Sequence, residues 1–182
     1  MVPSKNTNLE QRSIFQQRAN DLKHSNENPV LEKLVSLVVI ALDGNVLGID
    51  SAYVHEFVDI SKVSPIPCCP PYIVGNMNLR GEILTLIDIR QMLGLPNTTL
   101  PSGSVAMVVK VEDITAGIFV DEVRDAMFLL NPRSIQSAST SGLLSNIEYI
   151  QGTALYHHEQ IMSLLNLSKF FIKGGLLMGE IA

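Results

Sequence analysis

Apolar residues recur at a helical spacing only near the start of this chain. From Leu34 onward they fall into short runs broken by turn residues. Between Asn8 and Lys23, Ile14, Ala19 and Leu22 share a face, with Phe15 near it and polar residues between. This predicts a modest amphipathic helix, which Ser25-Asn-Glu-Asn-Pro29 ends. Its polar face lacks the Lys/Arg enrichment of an interfacial membrane helix, so a surface appendage is expected.

Beyond Leu34 the pattern predicts strands. Leu37–Leu42 and Val46–Ile49 flank the turn Asp43-Gly44-Asn45. Ser51–Glu56 reads as a helical turn leading into a strand, Phe57–Ile60. Pro65, Pro67, Pro70 and Pro71 then impose an extended loop without ladder donors. Val74–Leu79 and Ile83–Ile87 form a hairpin whose turn, Arg80-Gly81-Glu82, presents an arginine. Asp88 is placed to cap a short helix, Ile89–Leu93, that stops at Gly94 before Pro96. After a loop over 96–103, a second β set begins at Ser104: Val105–Val111, a turn at Glu112-Asp113, Ile114–Val120 and Val123–Leu130. Residues 131–145 read as loop. Asn146–Tyr156 and Gln160–Leu165 read as strands around a turn at 157–159, and Asn166 as the cap of a last helix, Leu167–Ile172, ending at Gly174-Gly175. Short strands at about ten-residue spacing argue for small barrels or a sandwich and against βαβ units.

Composition narrows the function. With 182 residues, 46% of them hydrophobic and 17% charged, the chain can bury a core for one good domain or two small barrels. A net charge of −5 with 13 basic residues argues against nucleic acid, and four Tyr, six Phe and no Trp leave little for base stacking. The adjacent Cys68 and Cys69 cannot form a CxxC knuckle and read as two small loop residues. Met1–Asn6 lacks a signal-peptide core, and runs such as Leu37–Leu42 fall far short of the ~20 residues of a membrane span. A cytoplasmic protein is expected.

Candidate chemistry is sparse. His24, His55, His157 and His158 are scattered, and the adjacent pair at 157–158 needs further ligands to hold a metal. Asp88 has no evident carboxylate partner for acid–base work. No GxxxxGK[ST], GxGxxG, GxSxG or HExxH is present. No catalytic residue, metal or cofactor is therefore expected. Glu56 and Arg80 are charges within apolar sequence. They suit either an ion pair that orients two strands or a bidentate contact to a partner.

The stretch Gly75 to Arg90 resembles the hallmark of the CheW family of chemotaxis coupling proteins: a glycine, a short gap, Asn-Leu-Arg-Gly, apolar residues, then Asp-Leu/Ile-Arg. Here Asn78-Leu79-Arg80-Gly81 and Asp88-Ile89-Arg90 stand in register. Gly48-Ile49-Asp50 and Val54-His55-Glu56 resemble the family's Gly-Ile-Asp and Val-x-Glu. Gly117-Ile-Phe-Val-Asp121-Glu-Val123 resembles its second-barrel motif. Tyr149-Ile-Gln-Gly152 and Leu164-Leu165-Asn166-Leu167 match its closing strand and helix. Thr85 stands where the family usually has proline, and Asn166 where it often has aspartate.

The resemblance implies an all-β fold: two SH3-like five-stranded β-barrel subdomains around a shared core, with short capping helices and no enzymatic activity. On this reading residues 1–33 are an N-terminal helical extension and linker, 34–172 the CheW-like domain, and 173–182 a tail. It further implies a scaffold coupling the tips of methyl-accepting chemotaxis-type receptors, or of phototaxis- or pilus-type receptors, to the regulatory domain of a CheA-type histidine kinase. The receptor-facing side would involve Val54, Glu56, Val105, Gly117 and Val123. The kinase-facing side would involve Val63, Gly75 and Arg80, with Glu56 also placed to support Arg80. Glycines at such positions would let a partner backbone approach closely. Two other readings stand beside it: a relative that binds one partner without coupling, and a small-ligand-binding β-barrel module.

Overall fold

The structure, a computed structural model, describes residues 33–60, 62–96, 105–138, 144, 146–157 and 160–173. The expected N-terminal helix, His24, His158 and the tail beyond Lys173 lie outside the described residues. Ten strands are present: β1 Val35–Leu42, β2 Asn45–Asp50, β3 Val54–Asp59, β4 Ile73–Leu79, β5 Glu82–Ile87, β6 Val105–Val111, β7 Ile114–Val120, β8 Glu122–Leu130, β9 Ile150–Tyr156 and β10 Gln160–Leu165. Among the described residues two short helices join them, α1 Arg90–Leu93 and α2 Leu167–Lys173, with 3₁₀ turns at Ser51–Tyr53, Pro132–Ser134 and Ile147–Tyr149. The strand expected from Asn146 thus starts only at Ile150, after one of these turns. Among the described residues no helix is long and apolar enough to cross a membrane.

The strands form two five-stranded sheets, ordered β8-β1-β2-β10-β9 and β3-β6-β7-β5-β4. The division is not the sequential one that a second β set at Ser104 suggests. β6 and β7 join β3–β5, whereas β1 and β2 join β8–β10 from the far end of the chain. The second-barrel motif accordingly straddles the crossing: Gly117 lies in the β3–β7 sheet and Val123 in the other. Local pattern specifies a strand, but the partner it finds is a long-range choice.

The two sheets repeat one plan. Each has a single parallel contact, β2 with β10 and β5 with β7. In each, a glycine at that contact faces leucine: Gly48 opposite Leu164, and Gly117 opposite Leu86. Each also has a bulge where a hairpin glycine sits, Gly152 opposite Leu164 and Gly75 opposite Leu86. The equivalence superposes β8-β9-β10-β1-β2 on β3-β4-β5-β6-β7, so the same unit is built twice with the chain cut at different points.

Alternate residues on β1 explain its unbroken apolar run. Val38, Ile40 and Leu42 face a core shared by both sheets, whereas Leu37 and Val39 face a smaller cluster belonging to their own sheet. On β6, Met107, Val109 and Val111 face the shared core, and Ala106 and Val108 the other small cluster. Strands buried on both faces read as continuous hydrophobic sequence. The shared core is sealed by Leu93 of α1 and by Leu167, Phe170 and Phe171 of α2. Asn166 caps α2, its Oδ1 accepting the Lys169 N–H at 2.9 Å. α1 begins one residue later than its expected start, at Arg90 with Ile89 in the cap position, yet Asp88 Oδ1 still accepts the Arg90 N–H at 3.0 Å. Gly94 ends α1 in the left-handed conformation, φ +76°.

Candidate functional site

The β4–β5 hairpin turns over two residues, Arg80 (φ +53°) and Gly81 (φ +94°). Positive φ at both positions is the turn geometry that matches the twist of antiparallel strands. Asn78 Oδ1 accepts the Gly81 N–H at 3.0 Å and steadies it. Arg80 then reaches β3, donating from both terminal nitrogens to the Glu56 carboxylate at 2.9 and 2.7 Å. β3 and β4 are opposite edges of their sheet. One side-chain pair thus links the turn that follows β4 to β3, the strand at the opposite end of the sheet order. A bulge at His55, between the Val54–Val109 and Glu56–Val108 pairings, re-aims Glu56 toward the turn. Glu56 is 30% exposed and Arg80 75%, so the fork is held from one side and open to solvent on the other. Glu56, expected on the receptor-facing side and also as the support of Arg80, is thus found paired with Arg80.

The remaining expected site residues separate into two kinds. Val54, Val105 and Val123 are half-buried against the shared core, and Val63 packs half-buried on the small cluster of the β3–β7 sheet. Gly75 and Gly117 are buried. A Cβ at Gly75 would lie 2.4 Å from Ser64 O, and one at Gly117 would lie 2.6 Å from Leu86 Cδ2. The close approach these glycines allow is made by the chain itself, not left open for partner backbone. At Gly75 it lets Ser64 and Asn76 exchange backbone hydrogen bonds of 2.8 and 2.9 Å. Beside the hairpin runs a cleft lined by Lys62, Ser64, Asn76, Met77, Asn78 and Ile83. Asn76 Oδ1 is buried there with no hydrogen-bond partner among the described residues, and Ile83 is 77% exposed.

Sequence reasoning missed a second charged cluster. Arg90 is 1% exposed, and its guanidinium binds Asp88 at 3.0 Å and also Asp121. Asp121 is the single residue between β7 and β8, where the chain crosses from one sheet to the other. Its Oδ2 accepts the Asp43 N–H at 2.7 Å and its own N–H donates to Ala41 O at 3.1 Å, both in the β1–β2 hairpin. The signal in the sequence was an arginine two residues after an aspartate in otherwise apolar surroundings. Its partner 31 residues away is visible only in three dimensions.

Nothing described resembles a reaction centre. No group of three or more His, Cys, Asp or Glu is placed to hold a metal ion among the described residues. His157 meets Phe128 edge-on and Tyr156 at a tilt, with ring centroids 5.5 and 4.6 Å away. Cys68 and Cys69 are free thiols in the proline-rich loop, and Cys69 Sγ donates to Ile66 O at 3.0 Å.

Comparison with known proteins points one way. Residues 36–173 match the family of CheW-like domains. A chemotaxis protein CheW of Treponema pallidum is 30% identical over 146 residues, spanning 78% of this chain and 85% of that protein. A chemotaxis protein CheW of Bacillus subtilis is 29% identical over 102 residues, spanning 56% of this chain and 65% of that one. The fold is similar to the crystal structure of the scaffolding protein TtCheW from Thermoanaerobacter tengcongensis. There the TM-score is 0.66 at 24% identity, covering 78% of this chain and 90% of that one.

Proposed function

The chain belongs to the family of CheW-like domains, and from that premise we propose that it is a non-enzymatic adaptor in chemotaxis-type signalling. It joins the signalling tip of a methyl-accepting chemotaxis-type receptor to the regulatory domain of a CheA-type histidine kinase. On this reading each sheet is an SH3-like barrel, and the cytoplasm, where both partners present these parts, is where it acts.

The observation that carries the reading is the geometry of Arg80. An arginine held by a bidentate carboxylate loses most of its side-chain freedom before any partner arrives, and its outer face stays free to donate. A pre-ordered, exposed fork at the tip of a rigid hairpin suits a protein interface, where arginines concentrate binding energy. The exposed Ile83 and the cleft beside it supply an apolar surface next to that cation. We assign Val63, Gly75 and Arg80 to the kinase-facing side, with Glu56 as the support for Arg80. Val63 acts there by contact. Gly75 acts by letting the Val63–Ser64 segment lie against β4. Val54, Val105, Gly117 and Val123 form the receptor-facing side.

The test is a pull-down with the receptor tip and the kinase regulatory domain, separately and together. Capture of both, with the ternary complex stronger than either binary one, upholds the adaptor. Capture of one alone identifies a regulator that does not couple. Capture of neither, with a tight small-molecule complex instead, identifies a ligand-binding module.

A further inference from the structure

The buried cluster around Arg90 joins parts of both sheets at the point where the chain passes between them. Arg90 and Asp88 follow β5 in one sheet, and the Asp43 N–H and Ala41 O lie in the hairpin of the other. Asp121 binds to both at once. Asn146, which leads into β9, adds a bond of 2.6 Å from Nδ2 to Met92 O of α1. The equivalent crossing in the repeated plan runs from β2 to β3. There the only hydrogen bond to α2 is between hydroxyls, Tyr53 Oη and Ser168 Oγ at 3.3 Å, among the described residues. One crossing is thus held by a buried, charged, multiply bonded link, and the other by a neutral contact.

The charged link lies against the surface assigned to the receptor. Val105 pairs directly with Val120, the residue before Asp121. Val123 follows Asp121 by two residues and pairs with Ile40, next to the Ala41 carbonyl that Asp121 holds. Gly117 precedes it on β7. The Arg80 turn lies at the other end of β5, six residues long, roughly 20 Å away at ~3.3 Å per residue.

We propose that Arg90 and Asp121 are positioning residues for the receptor-facing surface: their ion pair fixes the angle between the two sheets. Val105 and Gly117, from one sheet, and Val123, from the other, are thereby held in register. The inference rests on the assignment of that surface under the adaptor reading. The structural half, the fixed angle, stands independently. A charge pair suits this task better than apolar packing. The two terminal nitrogens of the guanidinium meet one carboxylate each, which fixes a single arrangement although Nε has no partner among the described residues, whereas apolar contacts are less directional.

The experiment places nitroxide labels on the full chain at Thr115→Cys in β7 and Gln151→Cys in β9, both exposed and on different sheets, with Cys68→Ser and Cys69→Ser removing the native thiols. Inter-label distances are measured by pulsed electron spin resonance, and affinities for the receptor tip and the kinase regulatory domain are measured without labels. Asp121→Asn keeps an acceptor for the Asp43 N–H but removes the charge. Arg90→Lys keeps the charge but removes the fork, and serves if the first variant does not fold. The expected result is a narrow distance distribution that broadens or shifts in the variants. Receptor-tip binding weakens about tenfold or more, and kinase binding weakens less, because Arg80 lies at the far end of β5 although Gly75 pairs with Leu86, close to Asp88. A folded variant with wild-type distances overturns the proposal, as does equal weakening toward both partners. Failure of the unsubstituted chain to bind either partner removes the adaptor reading alone. In that case a broadened distance in the variants still upholds the link as what sets the angle, and an unchanged one overturns it.

Discussion

Arg80, in the turn between β4 and β5, and Glu56, on the edge strand β3, are joined by two hydrogen bonds of 2.9 and 2.7 Å. The ion pair is the first of the two roles that the sequence left as alternatives, and the exposed side of Arg80 leaves room for the second, contact with a partner. An exposed ion pair contributes ~0–1 kcal/mol to folding, whereas a central interface arginine contributes ~2 kcal/mol or more to binding. Arg80→Ala is expected to leave the denaturant midpoint nearly unchanged and to weaken the ternary complex with receptor tip and kinase by about tenfold or more. A large loss of stability would instead make Arg80 a structural residue.

If Glu56 acts by holding Arg80, removing either residue removes the same pre-ordered fork. Glu56→Ala is expected to weaken the same complex, and the double substitution to cost less than the sum of the singles, the signature of coupled residues. Full additivity in a titration of all four proteins would separate the two residues functionally.

Arg90 is expected to behave in the opposite way. At 1% exposure, with two carboxylates on it, its truncation leaves the half-buried Asp88 and Asp121 without their cation and opens a cavity between them. Breaking such a pair costs about 3 kcal/mol or more. Arg90→Ala should show this as a marked fall in the urea midpoint, where Arg80→Ala shows almost none. Equal effects of the two substitutions would contradict the burial that distinguishes them.

The glycines divide in the same spirit. Gly75→Ala would place a methyl 2.4 Å from Ser64 O, and Gly152→Ala one 2.6 Å from Gln136 O, so backbone must move in both. Gly81 has nothing within 4 Å and only its φ of +94° to defend. Thermal unfolding should rank Gly75→Ala and Gly152→Ala, at ~1–3 kcal/mol, above Gly81→Ala at ~1 kcal/mol. The reverse order would show that turn conformation outweighs the close strand approach.

Removal of residues 1–33 is expected to leave the melting temperature of the remainder within a few degrees. Their periodic face is narrow, and Ser25–Pro29 sets them apart from the strands in sequence. Loss of cooperative unfolding in a calorimeter would show that the segment belongs to the core.

What the sequence determined by itself is local. Alternation and turn chemistry placed a strand at each of the ten, with Val105–Val111, Ile114–Val120 and Gln160–Leu165 correct to the residue. The pairing of Arg80 with Glu56 stood as one of two alternatives for these charges, and the family resemblance favoured it. Tertiary structure decided what depends on distant partners. It sent β1 and β2 to β8–β10, because a strand's pattern states which faces are buried and not against which neighbour. It turned Gly75 and Gly117 inward, because the space beside a glycine is filled by whichever segment folds over it. And it joined Arg90 to Asp121, because a buried charge is tolerated only where the completed fold brings an opposite charge to meet it.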